Sequence, residues 1–265
     1  MKTFKDEISL NKNARGCYIL DTIKGCGSCA VNKNGCYDEC YAAKIANRYK
    51  FNFSELTKRN IKENDNQIYM FGFKNEKNQN KLIKQIKKID MPFIRIGEMG
   101  DPSEDWEHTI NVCKIISKAK KQIVIISKHW KTIPDNLLED IKEMDICINT
   151  SISALDTSEQ IQHRLNQFFR LKKYCKSVLR IVSCDFNKEN EEGLAMSITQ
   201  EELFKNDKTI DTIFRVSLNN RLVKNEIINI EKVKFLSSNV WASIYNKDTF
   251  FGLCSNCNEM CGVNL

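Results

Sequence analysis

Short apolar runs alternate with longer segments of helical period along most of this chain. The runs are rich in β-branched residues and predict strands at Cys17–Ile23, Phe93–Gly97, Gln122–Ser127, Ile146–Ser151, Ser177–Ser183 and Thr209–Val216. The segments between them predict helices at Tyr41–Tyr49, Leu82–Ile89, Trp106–Lys120, Asn136–Glu143, Ser158–Tyr174 and Gln200–Phe204. This alternation is typical of an α/β protein with a parallel sheet, either doubly wound or curled into a barrel.

The segment Lys50–Lys81 departs from this alternation. It is polar, rich in Asn and Lys and poorly periodic, so we interpret it as an excursion after the first helix. The chain has no internal repeat and no clear linker, which favours a single domain over residues 1–250. Residues 251–265, which we call the C-terminal tail, form a separate cysteine-bearing segment.

Composition narrows the class of protein. The chain has 265 residues, of which 42% are hydrophobic and only 10 are Gly and 3 Pro, which argues against fibrous and low-complexity proteins. No apolar run approaches roughly 18 residues, and the first residues lack an apolar core, so we expect neither a membrane span nor a secretory signal. We therefore expect a cytoplasmic protein. The net charge of +7 suits a polyanionic partner, but only weakly.

Twelve cysteines are the unusual feature of the composition. In a reducing compartment, clustered thiols indicate metal or redox chemistry rather than disulfides. Five lie in the first 40 residues and three in the last 12. The remaining four sit singly in apolar segments, where we predict that they are small buried side chains: Cys113, Cys147, Cys175 and Cys184.

The loop after the first predicted strand contains Cys26, Cys29, Cys36 and Cys40, and we call residues 26–40 the cysteine loop. It follows the carboxyl end of a strand, where (β/α) barrels place their chemistry. Cys40 opens the next predicted helix, whose dipole and N–H groups favour a thiolate. The four thiols suit a structural zinc ion, and three of them suit a [4Fe–4S] cluster with one iron open to a ligand. Spacing leaves both metals open, whereas the position after the first strand of a β/α repeat favours iron–sulfur.

Several segments resemble the radical S-adenosylmethionine (SAM) superfamily, in particular a group of small members of which some are phage-encoded. The segments are GCYDECYAAKIANRY, RIGEMGDPSEDWEH, IVIISKHW, INTSISALD and RIVSCDFN, and the resemblance spans roughly Cys17 to Cys261. It implies an α/β fold of the partial (β/α)6 TIM-type barrel kind, with the cysteine-rich loop after the first strand. It also implies a [4Fe–4S] cluster that reductively cleaves SAM to methionine and a 5′-deoxyadenosyl radical, which abstracts hydrogen from a substrate.

The resemblance assigns the cluster to Cys26, Cys36 and Cys40, with Cys29 as the alternate first ligand. The usual superfamily spacing is Cys-x-x-x-Cys-x-x-Cys with an aromatic residue before the last cysteine, whereas here Tyr41 follows Cys40. The expected SAM-binding residues lie after the last loop cysteine, at strand ends and on one helix: Tyr41, Gly97, Glu98, Ser127, Lys128, Ser151, Ser153, Arg164 and Arg180. Gly97-Glu98 matches the motif that holds the SAM amino group, because Gly permits close backbone approach and Glu accepts from an ammonium.

Two further positions carry chemistry. Arg180 lies in the middle of a predicted strand, where a charge has to face the interior of the sheet or a partner. Cys184 ends the fifth predicted strand, and a thiol there is a speculative hydrogen-atom donor to a substrate radical, although a buried filler is the simpler interpretation.

The tail contains three cysteines, Cys254, Cys257 and Cys261, at metal-ligand spacing. Thiols this close predict an auxiliary [4Fe–4S] cluster or a structural zinc ion. The fourth ligand would come from Cys17, from Cys29 or from the substrate.

Two functions of different classes follow. The first is a radical SAM enzyme that takes electrons from a reductant such as flavodoxin or ferredoxin and acts on an unknown substrate. The net charge favours a nucleotide or nucleic acid as that substrate. The alternative is a zinc-stapled nucleic-acid-binding module without catalysis. Iron with sulfide supports the enzyme, and zinc without sulfide supports the module. An iron–sulfur redox or sensor protein would also contain iron and sulfide and differs from the enzyme only in not cleaving SAM.

Overall fold

The computed structural model describes residues 8–32, 35–53, 55, 57, 76–237, 240–247 and 249–265. Its main sheet has seven strands in chain order: β1 Asn11–Lys12, β2 Tyr18–Leu20, β3 Phe93–Ile96, β4 Gln122–Ser127, β5 Ile146–Ile152, β6 Lys176–Ser183 and β7 Thr209–Ile213. β1 pairs antiparallel with β2, and every neighbouring pair from β2 to β7 is parallel. The described strands do not close into a barrel, because β1 and β7 are the two edges of this sheet.

Helices alternate with the parallel strands along the chain. Those in the described residues are α1 Gly27–Asn32, α2 Tyr41–Arg48, α3 Glu76–Lys87, α4 Trp106–Ile116, α5 Leu138–Lys142, α6 Ser158–Leu171, α7 Glu191–Phe204 and α8 Arg221–Lys224. A separate antiparallel hairpin joins β8 Val233–Ser237 to β9 Val240–Ser243. No helix in the described part of the chain has both the length and the apolar character needed to cross a membrane.

The six predicted strands are confirmed, with ends that differ by at most three residues. The largest error among the helices is at Gln200–Phe204, which is only the end of α7. Leu194 and Ile198 of α7 are exposed, so its apolar residues do not form the single stripe that periodicity detects. The short β1, α1 and the β8–β9 hairpin were not predicted. Most of the predicted excursion Lys50–Lys81 lies outside the described residues.

Side chains alternate along the strands and give the sheet two different faces. One face packs against α3, α4 and α5 through residues such as Ile94, Ile123 and Ile148. The other, which we call the inner face, packs against Met260, Cys261 and Val263 of the C-terminal tail. The strand residues of that contact are Phe93, Val124, Cys147, Val178 and Ile210.

Specific hydrogen bonds hold the tail on the inner face. Asn149 of β5 donates to the Cys261 carbonyl at 3.0 Å, and Lys176 of β6 donates to the Val263 carbonyl at 2.8 Å. The Cys254 amide donates to the Arg15 carbonyl at 2.8 Å, before β2 begins. The tail is therefore an ordered layer of the fold, packed on the strands.

Candidate metal and cofactor site

The cysteine loop is tied to the segment that follows β3. Asp21, just after β2, accepts hydrogen bonds from the Glu98 amide at 2.7 Å and the Met99 amide at 3.1 Å. Gly25 forms a parallel bridge with Gly100. Because the carboxyl ends of parallel strands lie at one edge of a sheet, these contacts place Cys26 beside the predicted Gly97-Glu98 motif.

Cys26 and Cys29 lie side by side at the start of the loop. Cys26 is buried directly before α1, and Cys29 lies within that helix. The hydrogen bond between the two thiols and the burial of Cys26 raise the pKa of Cys26. The Trp130 indole N–H donates to the Cys29 sulfur at 3.1 Å. The two thiols therefore lie together, and which of them is the first cluster ligand stays a prediction.

Cys36 and Cys40 flank a single 3-10 turn, Tyr37–Glu39. Cys36 packs against the apolar cluster that contains Cys184. Cys40 is the N-cap of α2, as predicted, but the expectation of a favoured thiolate needs correction. Burial raises the pKa of Cys40, and the amides of Ala43 and Ala42 oppose that effect only in part. A bound cation is therefore needed to make this thiol a good ligand at neutral pH.

The donor set fits a thiolate-bound metal group. Four thiols converge on one strand-end region, and thiolates are the ligands that zinc and iron–sulfur clusters select. In the part of the chain that the structure describes, no three Cys, His, Asp or Glu side chains surround a single ion position. A [4Fe–4S] cluster places each thiolate on a different iron, so its ligands are spread more widely than those of a single ion.

A buried network of charges lies next to the cysteine loop. Asp156 forms ion pairs with Arg164 and, at 3.3 Å, with Lys128. The Arg164 Nε donates to the Lys128 carbonyl at 2.7 Å, and its guanidinium lies 4.9 Å from the Trp130 ring centre. Burial opposes the ionisation of Asp156, but the charges of Lys128 and Arg164 outweigh it and lower the pKa of Asp156.

This network changes the interpretation of Lys128 and Arg164. Both were predicted to contact SAM, and both lie near the cysteine loop, since the charges of Cys36 and Cys29 affect the pKa of Lys128. In the structure their charges are balanced by the carboxylate of Asp156, a residue that the sequence analysis did not select. A SAM-binding role for either side chain stays a prediction.

Gly97 and Glu98 form a strained turn after β3. Gly97 has a φ of +93°, and a Cβ at this position would lie 2.4 Å from the Ile126 carbonyl oxygen. Glu98 accepts from Arg95 at 2.6 Å and from Asn13 at 3.1 Å, while the Tyr41 hydroxyl donates to the Glu98 carbonyl at 2.6 Å. Glycine is therefore required here, and the Glu98 carboxylate is directed at Arg95.

The hydroxyl groups of two predicted serines, Ser127 and Ser153, form hydrogen bonds within the protein. The Ser127 hydroxyl donates to Asp101 at 2.7 Å and accepts from the His129 amide at 2.9 Å. The Ser153 hydroxyl donates to the Val182 carbonyl at 2.9 Å. Ser151 lies opposite Arg180 in the β5–β6 register. Ser127 and Ser153 thus shape strand ends, and ribose or SAM binding by the three serines stays a prediction.

His129, at the end of β4, is expected to make the stability of the protein depend on pH. It is fully buried, with its Nε2 3.2 Å from the Thr150 hydroxyl and its ring centre 5.3 Å from that of Trp106 in a tilted arrangement. Burial, helped by the nearby charges of His163 and Arg164, lowers the pKa of His129 to about 3. The unfolded chain gains a proton here below about pH 6.5, whereas the folded chain does not. Stability is therefore complete above that pH and falls by about 1.4 kcal/mol per pH unit toward pH 3.

Urea unfolding at pH 7.0 and 5.5 measures this effect. We expect the wild-type chain to lose about 1 to 2 kcal/mol between the two pH values, and His129→Gln to lose much less. His108→Gln, on α4, is the matched control and keeps the wild-type difference. An equal pH dependence in wild type and His129→Gln contradicts the assignment.

Arg180 faces a cavity between the inner face and the tail, as its place in mid-strand predicted. The cavity has a volume of about 90 Å³ and is lined by Arg15, Arg95, Arg180 and Arg215. We call it the arginine cavity. Burial, followed by the charges of Arg215, Arg180 and Arg95, lowers the pKa of Arg15, which reflects how close the four guanidinium groups lie.

The three tail cysteines line the same cavity. The pKa of Cys254 is lowered to about 6, first by its hydrogen bond with the Cys17 thiol and then, against burial, by Arg95 and Arg15. The carbonyl of Cys261 is close to Cys147, whose thiol lies 3.8 Å away. Of the fourth ligands considered, Cys17 is therefore the one that the fold brings to the tail, whereas Cys29 lies in the cysteine loop.

Cys184 is fully buried after β6. Its amide and carbonyl bond to the Gln200 side chain at 2.9 and 2.8 Å, and the residue does not line the arginine cavity. Burial raises the pKa of Cys184 well above its ordinary value. These surroundings favour the structural interpretation, and a hydrogen-donor role stays a speculative prediction.

Several residues of these sites, Arg15 among them, were missed from the sequence. Arg95 and Arg215 follow the same rule that selected Arg180, because each interrupts an apolar strand segment, FIRIG and TIFRV. Asp156 and Trp130 stand within segments that were quoted for the resemblance, but no local signal shows their partners. Comparison of the chain with protein-family models finds no match, and no curated protein matches it. The radical SAM resemblance therefore stays a prediction.

Proposed function

We propose that this protein is a radical SAM enzyme built on a partial (β/α)6 barrel. The observation that carries the proposal is that Cys26, Cys29 and Cys40 share one apolar cluster after the first parallel strand of the sheet, with Cys36 close enough to affect the pKa of Cys40. Strands β2–β7 in sequential order, with helices α3–α5 packed on one face, support the barrel. A zinc-stapled module does not require that arrangement.

The cluster ligands in this proposal are Cys26, Cys36 and Cys40, with Cys29 as the alternate first ligand. When bound and reduced, a [4Fe–4S] cluster supplies the electron that cleaves SAM to methionine and a 5′-deoxyadenosyl radical. The Trp130 indole positions the Cys29 sulfur, and the Lys128 ammonium offsets the negative charge that the loop thiolates bring. Tyr41, just after Cys40, fixes the start of α2 against the strand-end segment through its bond to Glu98.

The enzyme would work in the cytoplasm with a reductant such as flavodoxin or ferredoxin. In the tail, Cys254, Cys257 and Cys261, joined by Cys17, would hold a second [4Fe–4S] cluster or a zinc ion. The lowered pKa of Cys254 and its contact with the Cys17 thiol support this second site, because a metal binds thiolates.

Anaerobic turnover tests the proposal. The protein is purified without oxygen, reconstituted with iron and sulfide, reduced with dithionite and given SAM. We expect 5′-deoxyadenosine by mass spectrometry, and a loss of at least a hundredfold in Cys36→Ala, since the cofactor carries this chemistry. Cys175→Ala, which removes a half-buried thiol outside both cysteine groups, is the matched control and keeps wild-type production.

Metal analysis of the same samples decides between the two classes. Iron and acid-labile sulfide in the wild type, reduced in Cys40→Ala, support the cluster assignment. Zinc without sulfide, together with no 5′-deoxyadenosine, would overturn the enzyme and favour the zinc-stapled nucleic-acid-binding module.

A further inference from the structure

We propose that the arginine cavity binds the phosphate group of a free nucleotide. The cavity is a binding site whether or not the radical reaction occurs. The statement that the nucleotide is the substrate of that reaction rests on the proposed function.

The cavity contains more guanidinium groups than carboxylates that form ion pairs with them. Arg95 is paired with Glu98 at 2.6 Å. Arg15, Arg180 and Arg215 have no carboxylate within ion-pair distance among the described residues, and Arg180 has only a 3.4 Å bond to the Asn149 amide oxygen. Four guanidinium groups that repel one another lower the stability of the fold unless an anion binds among them, because arginine stays protonated at any physiological pH.

The acidic residues of the lining do not remove this surplus. Two carboxyl groups, Asp211 and Glu259, line the cavity beside the four arginines. Asp211 accepts hydrogen bonds from the Ser183 and Thr249 hydroxyls and so has other partners. With Asp211, Glu259 and the Cys254 thiol ionised, the four guanidinium groups still outnumber the anionic groups of the lining by one, and Glu98, which pairs with Arg95, lies outside the lining.

The four arginines come from separate parts of the fold, and Arg215 is the exposed one among them. Arg15 lies in the turn between β1 and β2, Arg95 in β3, Arg180 in β6 and Arg215 just after β7. The Nε of Arg95 is buried without a hydrogen-bond partner among the described residues. A phosphate group has the oxygen geometry that guanidinium groups bind in pairs, and about 90 Å³ has room for such a group but not for a whole nucleotide.

Aromatic residues at the same cavity favour a nucleotide over a simple phosphate ester. Phe250 and Phe251 line the cavity beside the arginines, and Phe250 is 39% exposed. An exposed ring next to a phosphate site offers a surface on which a base stacks. A chain of contacts also links the cavity to the cysteine loop, because Tyr41 bonds to Glu98 and Glu98 to Arg95. This chain of contacts connects the cavity to the helix that follows the cysteine loop.

Isothermal titration of the full-length chain tests the proposal with the four ribonucleoside 5′-monophosphates, the matching nucleosides and inorganic phosphate. We expect at least one monophosphate to bind more tightly than inorganic phosphate, and the nucleosides to bind more weakly than their monophosphates. Arg180→Gln and Arg15→Gln should each weaken binding by about tenfold to a hundredfold. Arg221→Gln, which removes an exposed charge on α8, is the matched control and leaves the affinity unchanged.

Chemical modification of the wild-type protein tests the same site without a variant. Phenylglyoxal modification followed by peptide mass spectrometry should show Arg15 and Arg180 protected by the bound monophosphate, and Arg221 not protected. Wild-type protein that binds no monophosphate, protection that spares Arg15 and Arg180, or binding only of single-stranded oligonucleotides would overturn the proposal.

Two variants separate this proposal from the radical reaction. Cys36→Ala should bind the monophosphate as wild type does while producing no 5′-deoxyadenosine. Arg15→Gln should lose the monophosphate while still cleaving SAM slowly. If loading the protein with iron and sulfide, or with zinc, abolishes monophosphate binding, the arginines balance the charge of the tail thiolates. This result also overturns the nucleotide site.

Discussion

Replacing Asp156 by Asn is expected to lower the free energy of unfolding by about 3 to 5 kcal/mol. The substitution preserves the shape of the side chain but leaves two buried cations, Lys128 and Arg164, without their carboxylate. The side chain of Asp156 is fully buried and that of Arg164 is 1% exposed, so water does not replace the lost partner. Guanidinium unfolding followed by circular dichroism measures the change.

Asp135→Asn is the control for this substitution. Asp135 also pairs with an arginine, Arg170, but its side chain is 91% exposed, so its loss should have little effect on stability. Equal stabilities of Asp156→Asn and the wild-type chain would show that the network is hydrated in solution. The hydrogen bond from the Arg164 Nε to the Lys128 carbonyl and the contact of Arg164 with the Trp130 ring would then have to hold the strand ends.

Gly97→Ala is expected to destabilise the protein by at least about 2 kcal/mol. Its backbone has a φ of +93°, which side-chain-bearing residues rarely adopt, and the added methyl meets the Ile126 carbonyl at 2.4 Å and the Pro102 ring at 3.0 Å. Relief of that overlap has to move the end of β3 away from β4. Glu98 and its bond to Arg95 move with it, so nucleotide binding in the arginine cavity should weaken as well.

Gly27→Ala provides the comparison. Gly27 has ordinary helical backbone angles at the start of α1, and an added methyl there meets Thr57 at 3.5 Å, which is normal contact. We expect its thermal unfolding midpoint to stay near the wild-type value. A Gly97→Ala midpoint that also stays there is the result that would refute the strain argument.

The strands were predictable because helices or the tail cover both faces of the sheet. Each strand therefore forms an apolar run, and Gln122–Ser127 was placed with both ends correct. α7 was predicted only in part because its apolar residues surround the helix. Strand order in space follows chain order, but no residue pattern states this, so the doubly wound and barrel arrangements stayed open.

The candidate sites were predictable only as far as their residues form local patterns. Both cysteine groups are visible as spacings, and Arg180 is visible as a charge in an apolar strand. The pairing of Asp156 with Lys128, and of Cys17 with Cys254, joins residues far apart in the chain. Such pairs depend on how the strand ends meet, and a single sequence does not record that.

The packing of the tail on the inner face has a consequence for synthesis of the protein. All seven strands of the main sheet leave the ribosome before residues 251–265 are made, so the nascent chain exposes Phe93, Val124 and Val178 during translation. An apolar surface of this kind is a target for chaperones and for aggregation. Folding is complete only when the tail docks, and oxidation of its thiols in the interval would leave that surface uncovered.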